Sequence, residues 1–223
     1  MLTSQQLGKN TGLNVSKLCL GTMNFGEPGR GHQGDWTLGT DDARPIFQAA
    51  IEHGVNYFDC ADIYGVGASE IVVGQLLKEL LPRDEYTLTT KVSMPMGRAP
   101  NQGGLSRKHI MEGIDQSLKR LGHDYVDQLI IHRHPHGIPG LAQTPIEETM
   151  EALNDVVKAG KALYLGASSM FAWQFAELQM TAAQNGWTKF ISMQNHLNLI
   201  YREEEREMIP YCVKTGVAVT PWS

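Results

Sequence analysis

The chain has 223 residues, 42% hydrophobic and 19% charged, with a formal net charge of -5. That acidic balance argues against nucleic acid or an anionic membrane surface as the main partner. No run approaches the roughly 20 apolar residues needed to cross a bilayer. Cys19, Cys60 and Cys212 are scattered and make neither a disulfide framework nor a Cys-x-x-Cys pair. Residues 1–10 carry no apolar stretch suited to export. The expectation is a soluble, cytoplasmic protein forming one domain over residues 1–223, since α/β barrels of roughly 200–250 residues build a single core.

A unit repeats along the chain: an amphipathic stretch, a glycine, then a short apolar run. Counting residues 18–21 as the first strand, His53-Gly54 precedes a strand at 55–59, and the helix around 69–81 stops against Pro82 before the run 86–91. Ile110, Ile114, Leu118 and Leu121 share one helical face behind a Ser106 cap, and Leu121-Gly122 leads to the strand 125–131. Ile146, Met150, Leu153 and Val157 do the same for a helix opened by Thr144-Pro145, with Glu147 completing a capping box. Gly160, Gly186 and Gly216 then precede strands at 162–165, 190–194 and 217–220. Glycine just past a helix takes the left-handed conformation that other residues resist.

Strands alternating with helices at this spacing predict βαβ units and a parallel sheet. Seven strand starts are counted. An open sheet of seven would expose two apolar edges, which predicts a polypeptide longer than 223 residues. A doubly wound sheet is the alternative, but no Gly-x-Gly-x-x-Gly turn follows the first strand. Three long loops, 23–39, 93–104 and 133–143, all follow strands and belong at the face where barrels build active sites. Trp36, Met94 and Met96 are expected as apolar walls of a pocket there, and Arg30 and His32 as groups for an acidic or phosphorylated substrate, or else as solvated loop residues.

Asp59, Tyr64, Lys91 and His132 lie where strands give way to loops. A phenol titrating at about 10 is a poor proton donor at neutral pH. A nearby ammonium lowers its pKa, a carboxylate fixes that ammonium, and an imidazole aims a hydrogen bond at a developing oxyanion. Singly, each residue has a structural reading: Tyr64 a loop aromatic, Asp59 a turn cap, His132 a core histidine, Trp222 plain packing, Ser168 and Ser169 a helix cap. Lys91 is harder to place that way, because a charge pointing into a barrel needs a partner. Their coincidence at strand ends points to carbonyl reduction. A metal-dependent hydrolase is the rival, because His132-Arg-His134-Pro-His136 alternates histidines at a strand end.

In order along the chain, residues 20–26, 54–65, 90–91, 125–132, 165–169, 194–195 and 221–223 resemble the aldo-keto reductases. The stretches at 104–109 and 167–170 resemble the bacterial branch, and with it the β-subunits of potassium channels. The resemblance implies a (β/α)8 barrel that binds NADPH without a Rossmann domain, with NADH a further possibility, and that reduces small aldehydes or ketones. It makes Tyr64 the general acid, Lys91 and Asp59 its tuning pair, and His132 the group polarising the carbonyl. Ser168, Ser169 and Gln194 hold the nicotinamide carboxamide, Trp222 stacks on its ring, and Gly21, Thr22 and Met23 line its ribose end. Asp59 and Ser223 complete the cofactor contacts, and no metal is implied. Many members have Ser-Asn where this chain has Ser168-Ser169, and the segment gripping the adenosine phosphate lies past residue 223. A small carbonyl compound is the expected partner and an oligomer is compatible. The channel subunits keep a second function in view, an NADPH-binding regulatory subunit with little turnover. Those subunits commonly carry asparagine where this chain has His132, which favours an enzyme.

Overall fold

A computed structural model describes residues 3–136, 138, 141 and 143–223. Part of the expected loop 133–143 (Gly137, Pro139, Gly140 and Ala142) and the first two residues of the expected export-free N-terminus therefore lie outside the described residues.

The chain opens with an antiparallel hairpin, β1 (Ser4–Gln6) and β2 (Asn14–Ser16). Seven parallel strands follow: β3 (Leu20–Gly21), β4 (Tyr57–Asp59), β5 (Thr87–Val92), β6 (Val126–Ile131), β7 (Ala162–Ser168), β8 (Phe190–Gln194) and β9 (Ala218–Val219). Among the described residues six α-helices separate them: α1 (Thr40–Glu52), α2 (Ala68–Leu80), α3 (Arg107–Leu121), α4 (Ile146–Lys158), α5 (Ala172–Asn185) and α6 (Met208–Thr215). Each strand pairs with the next in sequence, as in a partial (β/α)8 barrel curled into an open cylinder. The two edge strands, β3 and β9, have only two residues each, so the long apolar edges expected of an open sheet are absent.

Alternation along the strands sorts the core into two layers. Phe58, Leu88, Leu129, Ile131, Leu165 and Met193 face outward and pack under Phe47, Leu77, Ile114, Leu153 and Phe175 from the helices. The inward positions are largely polar, with Ile130 the apolar neighbour of Lys91. Tyr57 Oη donates to Gln128 Oε1 at 3.3 Å, and Gln128 Nε2 donates to Ser192 Oγ at 2.8 Å. This row crosses the interior as a hydrogen-bonded floor. Gly166 sits beside it, and a Cβ there would meet both Ser192 Oγ and the Gln128 amide. The hairpin was not foreseen, because its strands are three residues long. It is tied to the bottom of the barrel through Lys9 N donating to Gly216 O and Ser16 N donating to Asn56 Oδ1.

Gly54, Gly122, Gly160, Gly186 and Gly216 all have positive φ, as their place after helices requires. Ser106 caps α3 by accepting from His109 N. The capping box predicted for α4 does not form: Pro145 is its cap, so Glu147 falls one position short of the backbone it would need to reach. Glu148 occupies the position Glu147 was assigned, and its carboxylate accepts from Arg107 N at the start of α3 instead.

Gly74 marks where α2 crosses α3, and a Cβ there would run into the Leu121 carbonyl. Overpacking of two backbones has no side-chain remedy. Gly74→Ala should therefore lower unfolding free energy by about 2 kcal/mol or more. Gly12→Ala, with nothing nearby, should stay within about 0.5 kcal/mol. Urea denaturation of both variants checks the contrast.

Candidate active site

The carboxyl ends of β4, β5 and β6 converge on one buried ion pair. Lys91, with none of its surface exposed, donates from Nζ to Asp59 Oδ2 at 2.6 Å and to the Cys60 carbonyl at 2.8 Å. The second oxygen of Asp59 accepts from Thr89 Oγ1 at 2.8 Å. Parallel pairing sets Asp59 opposite Thr89, and Lys91 lies two residues further along the same face. The chain then leaves β4 and turns at Ala61–Ile63, bringing the Tyr64 hydroxyl to 3.3 Å from Lys91 Nζ. Val66, just beyond, has φ 50°. Backbone in that region is sparsely populated by β-branched residues, so this turn is held by its surroundings.

His132 follows β6 and meets the Tyr64 ring edge to face at 5.8 Å between centroids. It is buried, and its Nδ1 has no hydrogen-bond partner. Burial, helped by Lys91 and Arg133, pulls its pKa well below the ordinary imidazole value, so the ring is neutral. Tyr64 behaves differently from the expectation of a lowered pKa. Burial pushes the phenol up and outweighs the opposing pull of Lys91. Burial also acts against the charge of Lys91, yet Asp59 and Tyr64 together leave its pKa raised. The four groups thus stand as a neutral phenol, a fixed ammonium, its carboxylate and a neutral imidazole.

A cavity of about 660 Å³ opens above them and runs along the gap between β3 and β9. Gly21, Thr22, Met23, Asp59, Tyr64, His132, Gln194, Trp222 and Ser223 all line it. Thr22 Oγ1 donates to the Asp59 carbonyl, locking the first loop to β4. Ser168 and Ser169 both turn toward the Gln194 carbonyl, with Ser168 Oγ donating at 2.9 Å. Neither caps α5, where Phe171 N instead donates to Gln174 Oε1. Ser169 is held at φ 25° and its Oγ accepts from Trp222 Nε1 at 2.9 Å. Trp222 itself stacks on His196, with centroids 4.4 Å apart and planes 17° from parallel. The Arg133 guanidinium lies over the same indole, 5.2 Å from its centre.

Trp36, Met94 and Met96 are not among the residues lining this cavity. Loop 93–104 closes on itself through Met96 N donating to Gln102 O and Gly104 N to Ser93 O, which turns it away. Arg30 is exposed and paired with Glu27 at 3.1 Å, and His32 is exposed too. Among the described residues, no three histidine, cysteine, aspartate or glutamate side chains gather as a metal site. His134 Nδ1 instead accepts from the backbone of His136 and faces Gln174.

Two site residues were missed. Arg133 lines the cavity directly after His132; its signal was a cation opening a strand-end loop. Glu70 is fully buried beneath the Tyr64 turn, where it accepts from Arg120 and from Thr90 Oγ1, each at 2.6 Å. Its signal was a carboxylate on the inner side of an otherwise apolar helix.

A model of the aldo/keto reductase family matches residues 17–223. The chain belongs to that family. It is 47% identical to a versiconal hemiacetal acetate reductase of Aspergillus parasiticus, over 96% of this chain and 65% of that one. It is 43% identical to the aldo-keto reductase AMT2 of Alternaria alternata, over 96% of this chain and 62% of that one. The chain therefore spans a little under two thirds of the length of these curated relatives. Both are fungal, and they lend no support to the bacterial branch suggested by residues 104–109 and 167–170. Residues 104–109 run from a loop into the start of α3, and 167–170 from the end of β7 into the loop after it. Among the described residues no helix is long and apolar enough to cross a membrane.

Removing one member of a buried pair leaves the other charge unpaired. Lys91→Met should thus destabilise by about 3–5 kcal/mol, read by denaturant titration. The neutral His132 also makes stability depend on pH. Unfolded, it titrates near 6.5, so below that pH the unfolded chain binds a proton that the fold refuses. Stability present above pH 6.5 is lost as pH falls. In His132→Asn that loss should be shallower by up to about 1.4 kcal/mol per pH unit, and an unchanged slope would contradict a neutral buried ring.

Proposed function

We propose that the protein is an NAD(P)H-dependent carbonyl reductase in which Tyr64 delivers the proton. The observation that carries this reading is the Tyr64 hydroxyl 3.3 Å from a Lys91 ammonium that is itself fixed by Asp59 at 2.6 Å. Family membership and the reductase names of the relatives support it.

The residues present fit a nicotinamide. Gln194 offers its amide on the wall of the cavity of about 660 Å³, and Ser168 stands behind it with its hydroxyl bonded to the Gln194 carbonyl. Gln194, Ser168 and Ser169 would hold the carboxamide, and Gly21, Thr22, Met23 and Ser223 would border the ribose. The bound cofactor supplies a hydride to the carbonyl carbon. Everything else falls to the side chains. His132, neutral and buried, hydrogen-bonds the carbonyl oxygen without adding a competing charge. Tyr64 gives its proton to that oxygen as negative charge develops there. The phenolate left behind sits against Lys91, whose ammonium Asp59 keeps in position. The raised pKa of Tyr64 keeps the phenol protonated through the neutral range, as a proton donor requires.

Tyr64→Phe removes the proton and little else, because the ring still packs against His132. Turnover of small aldehydes with NADPH should fall by about 10²–10⁴-fold, while cofactor binding, followed by nicotinamide fluorescence, is retained. Turnover equal to that of the unaltered protein would remove Tyr64 from the reaction.

A further inference from the structure

Two cations line the active-site cavity without a part in the proposed chemistry, exposed Lys17 and half-buried Arg133. Arg133 follows His132 directly, and its backbone carbonyl accepts from Ser93 Oγ at 2.9 Å, which fixes where the side chain starts. Its Nη1 donates to the His132 carbonyl at 2.8 Å and to Ser168 Oγ at 3.1 Å. Those two bonds use both protons of Nη1. The Nε and Nη2 donors have no hydrogen-bond partner among the described residues, and no carboxylate there lies within ion-pair distance of the group. The flat guanidinium is supported from below by the Trp222 ring.

A half-buried cation without a counter-charge is unfavourable unless something supplies one. Burial indeed draws its pKa below the ordinary guanidinium value. The neighbouring charges offer no internal remedy. Asp59 is committed to Lys91, Glu204 accepts from Asn195, and Glu203 pairs with Arg206. Arg133 also lines a second cavity of about 460 Å³, bordered by His134, His136 and Ile138 on one side and by Tyr201, Glu204 and Met208 on the other. Arg133 therefore borders the same cavity that holds Tyr64 and His132. A guanidinium fork matches a carboxylate in shape and hydrogen-bond direction. Arg30 and His32, the cations that the sequence suggested for such a role, are exposed and away from the cavity.

We propose that Arg133 is a specificity-determining residue that receives the carboxylate of the substrate, which makes the preferred substrates aldehydes or ketones that also carry an acid group. This deepens the reductase reading, because it places the anion one residue from the imidazole that meets the carbonyl. Trp222 and Ser168 hold the guanidinium flat and leave its outer edge for the ligand.

The test pairs 4-formylbenzoate with its uncharged methyl ester. Binding is followed through tryptophan fluorescence, since Trp222 lies against Arg133, and turnover is measured in parallel. The unaltered protein should bind the acid at least about tenfold more tightly than the ester, with the preference shrinking as salt is added. Arg133→Met and Arg133→Gln should bring the two ligands to parity. Arg133→Lys should keep part of the preference, which a purely structural clamp would not do, because lysine cannot reproduce the stacked fork. Far-UV circular dichroism confirms that each variant is folded. Equal affinity for acid and ester in the unaltered protein, or a preference that survives in Arg133→Met, overturns the proposal. The binding arm needs no turnover. Acid preference without reduction would keep the anion site and reject the reductase, and reduction without preference would do the reverse.

Discussion

An ammonium with no exposed surface is the constraint around which this molecule is arranged. Lys91 can be buried only because Asp59 and the Cys60 carbonyl meet it at hydrogen-bond distance, and because Thr89 satisfies the remaining carboxylate oxygen. Each of those groups comes from the register of adjacent parallel strands, so the ion pair and the sheet specify one another. Slipping β4 against β5 by one residue would point Asp59 outward among Phe47 and Leu77 and leave the ammonium alone. The Tyr64 turn then inherits its position from the pair. Beneath it, Glu70 repeats the same logic with Arg120 and Thr90 and ties the start of α2 to β5.

The interior is layered by chemistry. Apolar side chains fill the space between sheet and helices, where non-directional burial suffices. Inside the cylinder most side chains are polar and hydrogen-bonded to one another, from the Tyr57–Gln128–Ser192 row up to the cavity. Each member of that row is hydrogen-bonded to the next, which fixes the row in place. Of the buried polar atoms without a partner among the described residues, His132 Nδ1 and Thr220 Oγ1 belong to residues of the cavity wall, whereas both Asp62 oxygens, His109 Nε2 and Asn154 Nδ2 lie away from it.

The upper wall is built differently, from rings. Tyr201, His196 and Trp222 form a continuous stack with 4.4 Å between successive centroids, and Arg133 closes it on the cavity side. Backbone bonds between Asn195 and Trp222, and between Leu197 and Trp222, hold that column to the end of β8. The stack joins the loop after β8 to the loops after β6 and β7 through Ser169 and Ser168. Trp222 is thereby positioned as a platform for Arg133 as well as a wall of the cavity. The expected stacking of Trp222 on a nicotinamide ring stays a proposal, since the indole here meets His196 and Arg133.

Periodicity and glycine placement were enough to read seven strands, their order and the helices between them, because each of those signals is local. The positions of Asp59, Tyr64, Lys91 and His132 at strand ends were legible for the same reason. Other features were not. The hairpin is too short to show a pattern. Glu148 reaches another helix, so the cap assigned to Glu147 depended on a distant partner. The direction of the Tyr64 shift follows from how much water burial removes, which residue types do not encode. Arg133 looked like an ordinary loop cation, since its value comes from Trp222, 89 positions further along. The sequence by itself determined which chemical groups are present and on which elements, because strand and helix periods are properties of neighbouring residues. Only the tertiary structure decided which charges are paired and which remain open, because pairing depends on distances between strand ends far apart in the chain.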